Sequence, residues 1–312
     1  MHSRSALFLP RSSMMTTTDR FPEYACPYAR RLAEASPRFA RQVYDRKSKV
    51  TSGKTEKYLE DPFGELSENT ACPGLRQRFP DRALIMTTNT CFMNCRHCTR
   101  RGILGKTEIV DTPKKLKRCV EYIKHHPKIR DILLSGGDIL TLNNKKVSEF
   151  VNAFASLPQI DIVRVCTRAI CTNPSRITPS LAKILSRSKK VWVNTQFNCA
   201  DEVTLEAIHA ASILIDRGIP VSCQTVLLKG VNDSTKEMLK LFRKLSAARI
   251  RPYYVFMCDP VAGIDHFRIP LEKAQQIEKE CAAQIGGLSM PRFVADLPGA
   301  PFKTPISACR QQ

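Results

Sequence analysis

The chain has 312 residues, 43% of them hydrophobic, and 49 Lys and Arg against 29 Asp and Glu, a formal net charge of +20. That length suits one large α/β unit of the barrel type, and the absence of any apolar run approaching roughly 18 residues excludes a membrane-spanning helix. Thirteen cysteines without a secretory signal argue for metal or redox chemistry in a reducing compartment, so a cytoplasmic location is expected.

The basic excess is spread along the chain, as in Lys114, Lys115, Lys117 and Arg118 or Lys189 and Lys190. These residues fall in segments that read as outer helices, where solvated faces account for them. Aromatic residues make up 7% of the chain, and no basic–aromatic interleaving suggests a base-stacking platform, so nucleic acid is not an expected partner.

Residues 1–18 carry Arg4 and Arg11, several Ser and Thr and no acidic residue. Transit peptides share that composition, and a later start at Met14 or Met15 explains it equally well. Residues 1–75 read as an N-terminal extension, partly helical, closing on a polar stretch over 61–70. From 76 to 312 a strand–helix rhythm takes over. Apolar strands are expected at 82–90, 131–135, 160–167, 191–197, 221–228 and 253–258. Helical patterns lie between them at 113–126, 147–157, 179–186, 201–217 and 235–247. Strands alternating with helices imply βαβ units and a parallel sheet, and six units fit a partial (β/α)6 barrel. Active sites of such sheets lie at the carboxyl ends of the strands.

Just past the first expected strand come Cys91, Cys95 and Cys98, spaced C-x3-C-x2-C. Thiolates are the ligands of iron–sulfur clusters. Three of them would hold three irons of a [4Fe–4S] cube and leave the fourth open, which is where radical SAM enzymes chelate S-adenosylmethionine. A zinc motif would need a second ligand pair roughly 12–20 residues on, and the next cysteine, Cys119, stands alone. The second strand ends in Ser135-Gly136-Gly137-Asp138, a turn whose glycines permit positive φ and close backbone approach.

Four blocks, in order and spacing, resemble the lysine 2,3-aminomutase family of radical SAM, pyridoxal phosphate-dependent enzymes. They are Cys95-Arg96-His97-Cys98-Thr99-Arg100-Arg101, Ser135-Gly136-Gly137-Asp138, Arg251-Pro252-Tyr253-Tyr254 with Cys258-Asp259, and Asp296-Leu297-Pro298-Gly299 followed by Lys303-Thr304-Pro305. The resemblance implies an α/β fold, a radical SAM partial barrel with a pyridoxal-binding C-terminal segment. It implies a [4Fe–4S] cluster on Cys91, Cys95 and Cys98, and S-adenosylmethionine against Ser135, Gly136, Gly137, Asp138 and Gln224. Pyridoxal 5′-phosphate would sit on Lys303, the catalytic lysine, with Arg78 and Arg82 as phosphate contacts. Guanidinium forks suit a phosphate. Arg100 would pair with the α-carboxylate of lysine, and Asp259 and Asp296 with its distal ammonium, which is tolerable in a buried site only when paired. The implied reaction is an isomerisation that converts L-lysine to β-lysine by 2,3-amino migration. An electron donor such as flavodoxin or ferredoxin would feed the cluster, and homo-oligomerisation is open. Two other readings stand beside this one: a short aminomutase supplying β-lysine for elongation factor P, and a basic radical SAM enzyme acting on RNA.

The chain departs from the family at several positions. Gln196 stands where a histidine is frequent, Phe256 where a tyrosine is common, and Pro301 and Phe302 replace small residues. The chain ends at Gln312 without the cysteine-bearing extension that holds zinc in longer members, and Ser234 replaces another zinc cysteine. Zinc is therefore in doubt as a cofactor.

Overall fold

The computed structural model describes residues 21–44, 61–66, 70–297 and 299–309. The transit-peptide-like composition of residues 1–18, the extension's 45–60 stretch, part of its polar close and Pro298 lie outside the described residues.

The described residues begin with two short helices, α1 (Pro27–Ala35) and α2 (Pro37–Tyr44). Strands β1 (Thr70–Cys72), β2 (Leu75–Phe79) and β3 (Arg82–Thr88) follow. The repeating part runs α3 (Pro113–Lys124), β4 (Asp131–Gly136), α4 (Asn144–Ala155), β5 (Ile162–Cys166), α5 (Ala169–Thr172), α6 (Pro179–Leu185), β6 (Val191–Gln196), α7 (Leu205–Ile215), β7 (Val221–Leu227), α8 (Thr235–Ala247) and β8 (Arg251–Met257). It closes with α9 (Leu271–Ala282), β9 (Arg292–Ala295) and β10 (Thr304–Pro305). The helix starts have local causes. Thr112 and Thr178 accept hydrogen bonds from Lys115 N and Leu181 N, each with Pro in the first turn, and Asn143, Thr204 and Ser234 cap α4, α7 and α8 in the same way. Ser234, the residue in place of a zinc cysteine, serves here as a helix cap.

Among the described residues, ten strands form one sheet in chain order. From β3 to β9 every neighbouring pair is parallel, while β1–β2, β2–β3 and β9–β10 are antiparallel. An order that never doubles back is the winding of a barrel, here partial because β1 and β10 do not pair. The six expected strands are β3 to β8. The chain adds a seventh parallel strand, β9, and an antiparallel edge at each side.

The two faces of the sheet differ chemically. Ala83, Ile85, Ile132, Leu134, Val163, Val165, Val191 and Val193 are buried in the main apolar core under the helices. The alternate positions, pointing to the other face, include Arg164, Asn194, Gln196 and Gln224. Asp131 accepts from Arg164 Nε at 3.0 Å there. The inner face is thus lined for polar ligands, and strand ends aim side chains into it.

Candidate active site

β3 delivers the chain into the cysteine loop, which is held from outside by the N-terminal segment. Ala25 forms a bridge with Met93. Cys26 N donates to Phe92 O, Asn94 N to Tyr24 O and Arg96 N to Gln42 O, each at 2.8 Å. Met93 sits in a second apolar cluster with Ala29, Phe39, Val43, Val261 and Phe267. Sequence reasoning treated this segment as an appendage. The signal that was available is the apolar pair Phe39 and Val43, one helical turn apart on α2.

Cys91, Cys95, Ser135, Gly136, Asp138 and Gln224 line one cavity of about 170 Å³ at the carboxyl ends of the strands. Cys98 adjoins it, its N donating to Cys95 O at 2.9 Å. Burial, and then the neighbouring Cys98 and Cys95, push the Cys91 thiol up. Burial, and then Cys95, push the Cys98 thiol up to about 11. Two thiols that resist ionising, with Cys95 beside them, form a donor set that a polycationic metal cluster would relieve. Among the described residues no three His, Cys, Asp or Glu groups converge on a single metal ion, and a cube giving each thiolate its own iron does not require it. The thiols fit a [4Fe–4S] cluster.

The glycine turn makes the close backbone approach that its sequence suggests. Gly136 has φ +104°, and a Cβ there would lie 2.6 Å from Thr88 O. At Gly137 a Cβ would lie 2.3 Å from Thr90 O. Gly137 N instead donates to Thr88 O at 2.6 Å and Asp138 N to Thr90 O at 2.8 Å. The close approach is between the turn and the chain's own backbone entering the cysteine loop. Asp138 is likewise turned inward: Oδ1 accepts from Leu140 N and Thr167 Oγ1, and Oδ2 from Arg168 N at 2.7 Å. Burial raises its carboxyl above the usual range. Gln224 Oε1 accepts from Tyr253 OH at 3.3 Å.

Arg168 was not anticipated. Its Nη1 donates to Cys95 Sγ at 2.9 Å, and its Nη2 to Gln42 Oε1 at 2.7 Å and Glu202 Oε2 at 2.9 Å. The ion pair with Glu202 is almost wholly buried, which places a fixed cation beside the Cys95 sulfur. Neighbouring His97 is fully buried and held neutral by burial and then by Arg168. Its Nε2 lies 3.1 Å from Gln196 Nε2 and 3.2 Å from Asn198 Nδ2. The substituted Gln196 is thus a partner of this histidine.

A second constellation gathers around Phe79. The cations of Arg82, Arg78 and Lys303 lie 4.7, 5.1 and 5.3 Å from its ring centre, and Lys303 Nζ is 5.6 Å from the ring of Phe256. Arg78 Nη1 donates to Asp296 Oδ1 at 2.8 Å, and Lys303 Nζ pairs with Asp296 Oδ2. The expected phosphate contact and the expected ammonium contact are therefore bonded to each other. Burial lowers the Lys303 ammonium from its ordinary value despite Asp296. Burial, and then Asp296, raise the Asp259 carboxyl to about 7, with Lys303 and Arg78 pulling the other way. Arg82 also pairs with Asp81 at 2.9 Å on a more exposed edge. Three cations round one ring, one of them a lysine with a weakened hold on its proton, fit an anionic aldehyde cofactor such as pyridoxal phosphate.

Arg100 completes the set. Its Nε and Nη2 donate to Glu65 Oε2 and Oε1 at 2.6 and 2.7 Å, and its Nη1 lies 3.5 Å from Gly136 O at the cavity wall. Burial works against its charge, but Glu65 outweighs it and holds the guanidinium protonated.

Residues 85–242 match the Radical SAM superfamily. The chain is 41% identical over 248 residues to the L-lysine 2,3-aminomutase of Fusobacterium nucleatum, covering 80% of this chain and 58% of that one. It is 35% identical over 300 residues to the L-lysine 2,3-aminomutase of Methanococcus maripaludis, covering 95% and 69%. The chain thus spans less than two thirds of the length of the first of these relatives. Among solved structures it is similar in fold to a radical SAM methyltransferase from Sphaerobacter thermophilus, with TM-score 0.51, 18% identity, and 70% and 68% of the two chains covered.

Proposed function

Since the chain belongs to the lysine 2,3-aminomutase family of radical SAM proteins, we propose that it moves the α-amino group of L-lysine from C2 to C3, yielding β-lysine. The observation that carries this reading is the division of charge between the cysteine-lined cavity and the constellation around Phe79. A guanidinium, Arg100, stands at the wall of the cysteine-lined cavity, and two carboxylates, Asp259 and Asp296, stand with Lys303. A molecule with a carboxylate at one end and an ammonium at the other matches that polarity.

Cys91, Cys95 and Cys98 would hold the cluster, with S-adenosylmethionine in the cavity against the Ser135–Asp138 turn and Gln224. When bound, the cluster supplies one electron to cleave S-adenosylmethionine reductively, and pyridoxal phosphate supplies a ring that delocalises an unpaired electron. The chain's own residues orient and exclude water. Lys303 gives up its proton more readily than a free lysine because it is buried, which suits it to bond the cofactor's aldehyde. Arg78 and Arg82 are the cations for its phosphate. Asp259 and Asp296 would take the ammonium of lysine and repel the side-chain carboxylate of glutamate. Arg100 would fix the other end, so that one C3 hydrogen faces the cavity. A one-electron donor such as a flavodoxin or ferredoxin and a cytoplasmic setting belong to the same reading.

The test is to incubate the anaerobically reconstituted protein with S-adenosylmethionine, a reductant, pyridoxal phosphate and L-lysine, and to separate the amino acids. β-Lysine is the expected product. Its absence, or equal turnover of glutamate, would reject the proposal.

A further inference from the structure

We propose that Glu65 is a positioning residue that grips one face of Arg100 and leaves its other face as the fork for the substrate carboxylate; this rests on the function proposed above. A guanidinium has five N–H donors in a rigid plane and two faces on which a carboxylate can seat, one using Nε and Nη2 and one using Nη1 and Nη2. Glu65 occupies the first face with both oxygens, at 2.6 and 2.7 Å. Nη1 faces the other way, 3.5 Å from Gly136 O, a residue of the cavity wall that also includes Arg100. The second face is therefore the one presented to a ligand.

Glu65 is itself built in. Its side chain is 9% exposed and that of Arg100 19%. Asp61 accepts from Glu65 N at 2.9 Å and from Leu66 N at 2.8 Å, and the Glu65 carbonyl accepts from buried Arg76. The short 61–66 segment thus works as a clamp. Without Glu65, a long side chain with several rotamers must be ordered by the substrate, at its expense.

The test measures binding of L-lysine and of 1,5-diaminopentane, the same molecule without the carboxylate, to the cofactor-loaded protein by calorimetry. Wild type, Glu65→Ala, Glu65→Asp and Arg100→Ala are compared, with iron content and circular dichroism as checks on folding. Glu65→Ala should weaken lysine roughly 10- to 100-fold, the worth of one charged hydrogen bond, and leave diaminopentane unchanged. Glu65→Asp should recover part of the loss, and adding Glu65→Ala to Arg100→Ala should cost nothing further. Equal weakening of both ligands, or unchanged lysine binding in folded Glu65→Ala, would overturn the proposal. Should wild type bind alanine or glutamate and not lysine, the lysine reading falls, and the Glu65 comparison is made on that amino acid and its decarboxylated amine. Failure to bind any amino acid would overturn both.

Discussion

Replacing Asp296 with alanine perturbs the resting site and the proposed substrate site through different interactions. In the resting chain Asp296 takes Arg78 on one oxygen and Lys303 on the other. The substitution leaves two cations side by side, with Asp259 still acting on both electrostatically. Breaking a fully buried pair costs about 3–5 kcal/mol. Here the side chains are 10% to 20% exposed, so about 2 kcal/mol is expected and Tm should fall by several degrees. Substrate binding loses a similar amount. Once Lys303 is engaged by the cofactor, one oxygen of Asp296 is released for the ammonium of lysine, and one charged hydrogen bond is worth roughly 1.5–3 kcal/mol. At about 1.4 kcal/mol per tenfold, kcat/KM for lysine should drop about 10- to 150-fold. The assay compares kcat/KM for lysine with binding of alanine, which has no distal ammonium. Wild-type lysine turnover by Asp296→Ala, or an equal loss on alanine, would refute the assignment of the pocket.

Cys98→Ala should lose iron and abolish cleavage of S-adenosylmethionine; unchanged cleavage would sink the cluster assignment. Borohydride reduction of the pyridoxal-loaded protein and peptide mass analysis should place the pyridoxyl group on Lys303, and its appearance on Lys229 would count against the site. The Asp259 carboxyl is raised to about 7 and a cation prefers its ionised form, so lysine affinity should weaken about tenfold from pH 8 to pH 6, a dependence that Asp259→Asn should flatten. The same raised value costs stability in full above pH 7 and none below the ordinary carboxylate range, so Asp259→Asn should raise Tm more at pH 8 than at pH 4. Gly137→Ala puts a Cβ against Thr90 O and should destabilise the protein by about 1–3 kcal/mol, visible as a lower Tm with poorer iron retention.

The repeating core was legible because its strands are short apolar runs between capped helices, and β3 to β8 fall within a few residues of the expected bounds. β2, Leu-Arg-Gln-Arg-Phe, was missed because its polar residues outnumber its apolar ones, and β9 because four residues carry too little pattern. The cysteine spacing is local and therefore readable. Arg168, Gln42, Glu202 and Glu65 are not, since each acts on a residue far along the chain: Arg168 on Cys95, Gln42 on Arg168, Glu65 on Arg100. The glycines of Ser135-Gly136-Gly137-Asp138 were read for positive φ and close backbone approach, and Gly136 does take φ +104°. The glycines admit Thr88 and Thr90, a backbone neighbour that a sequence cannot show. Arg78 and Asp296 were assigned to separate ligands, and their mutual ion pair appears once β2 and the segment after β9 are brought together.

The most direct test of the account follows the nitrogen. L-Lysine carrying ¹⁵N only at its α-amino group is incubated with the reduced, cofactor-loaded protein, and the product is read by NMR. The account predicts β-lysine with the label on C3 and an unlabelled C6 amine. Recovery of lysine with the label still on C2 after S-adenosylmethionine has been consumed, or loss of the label to solvent, would contradict it.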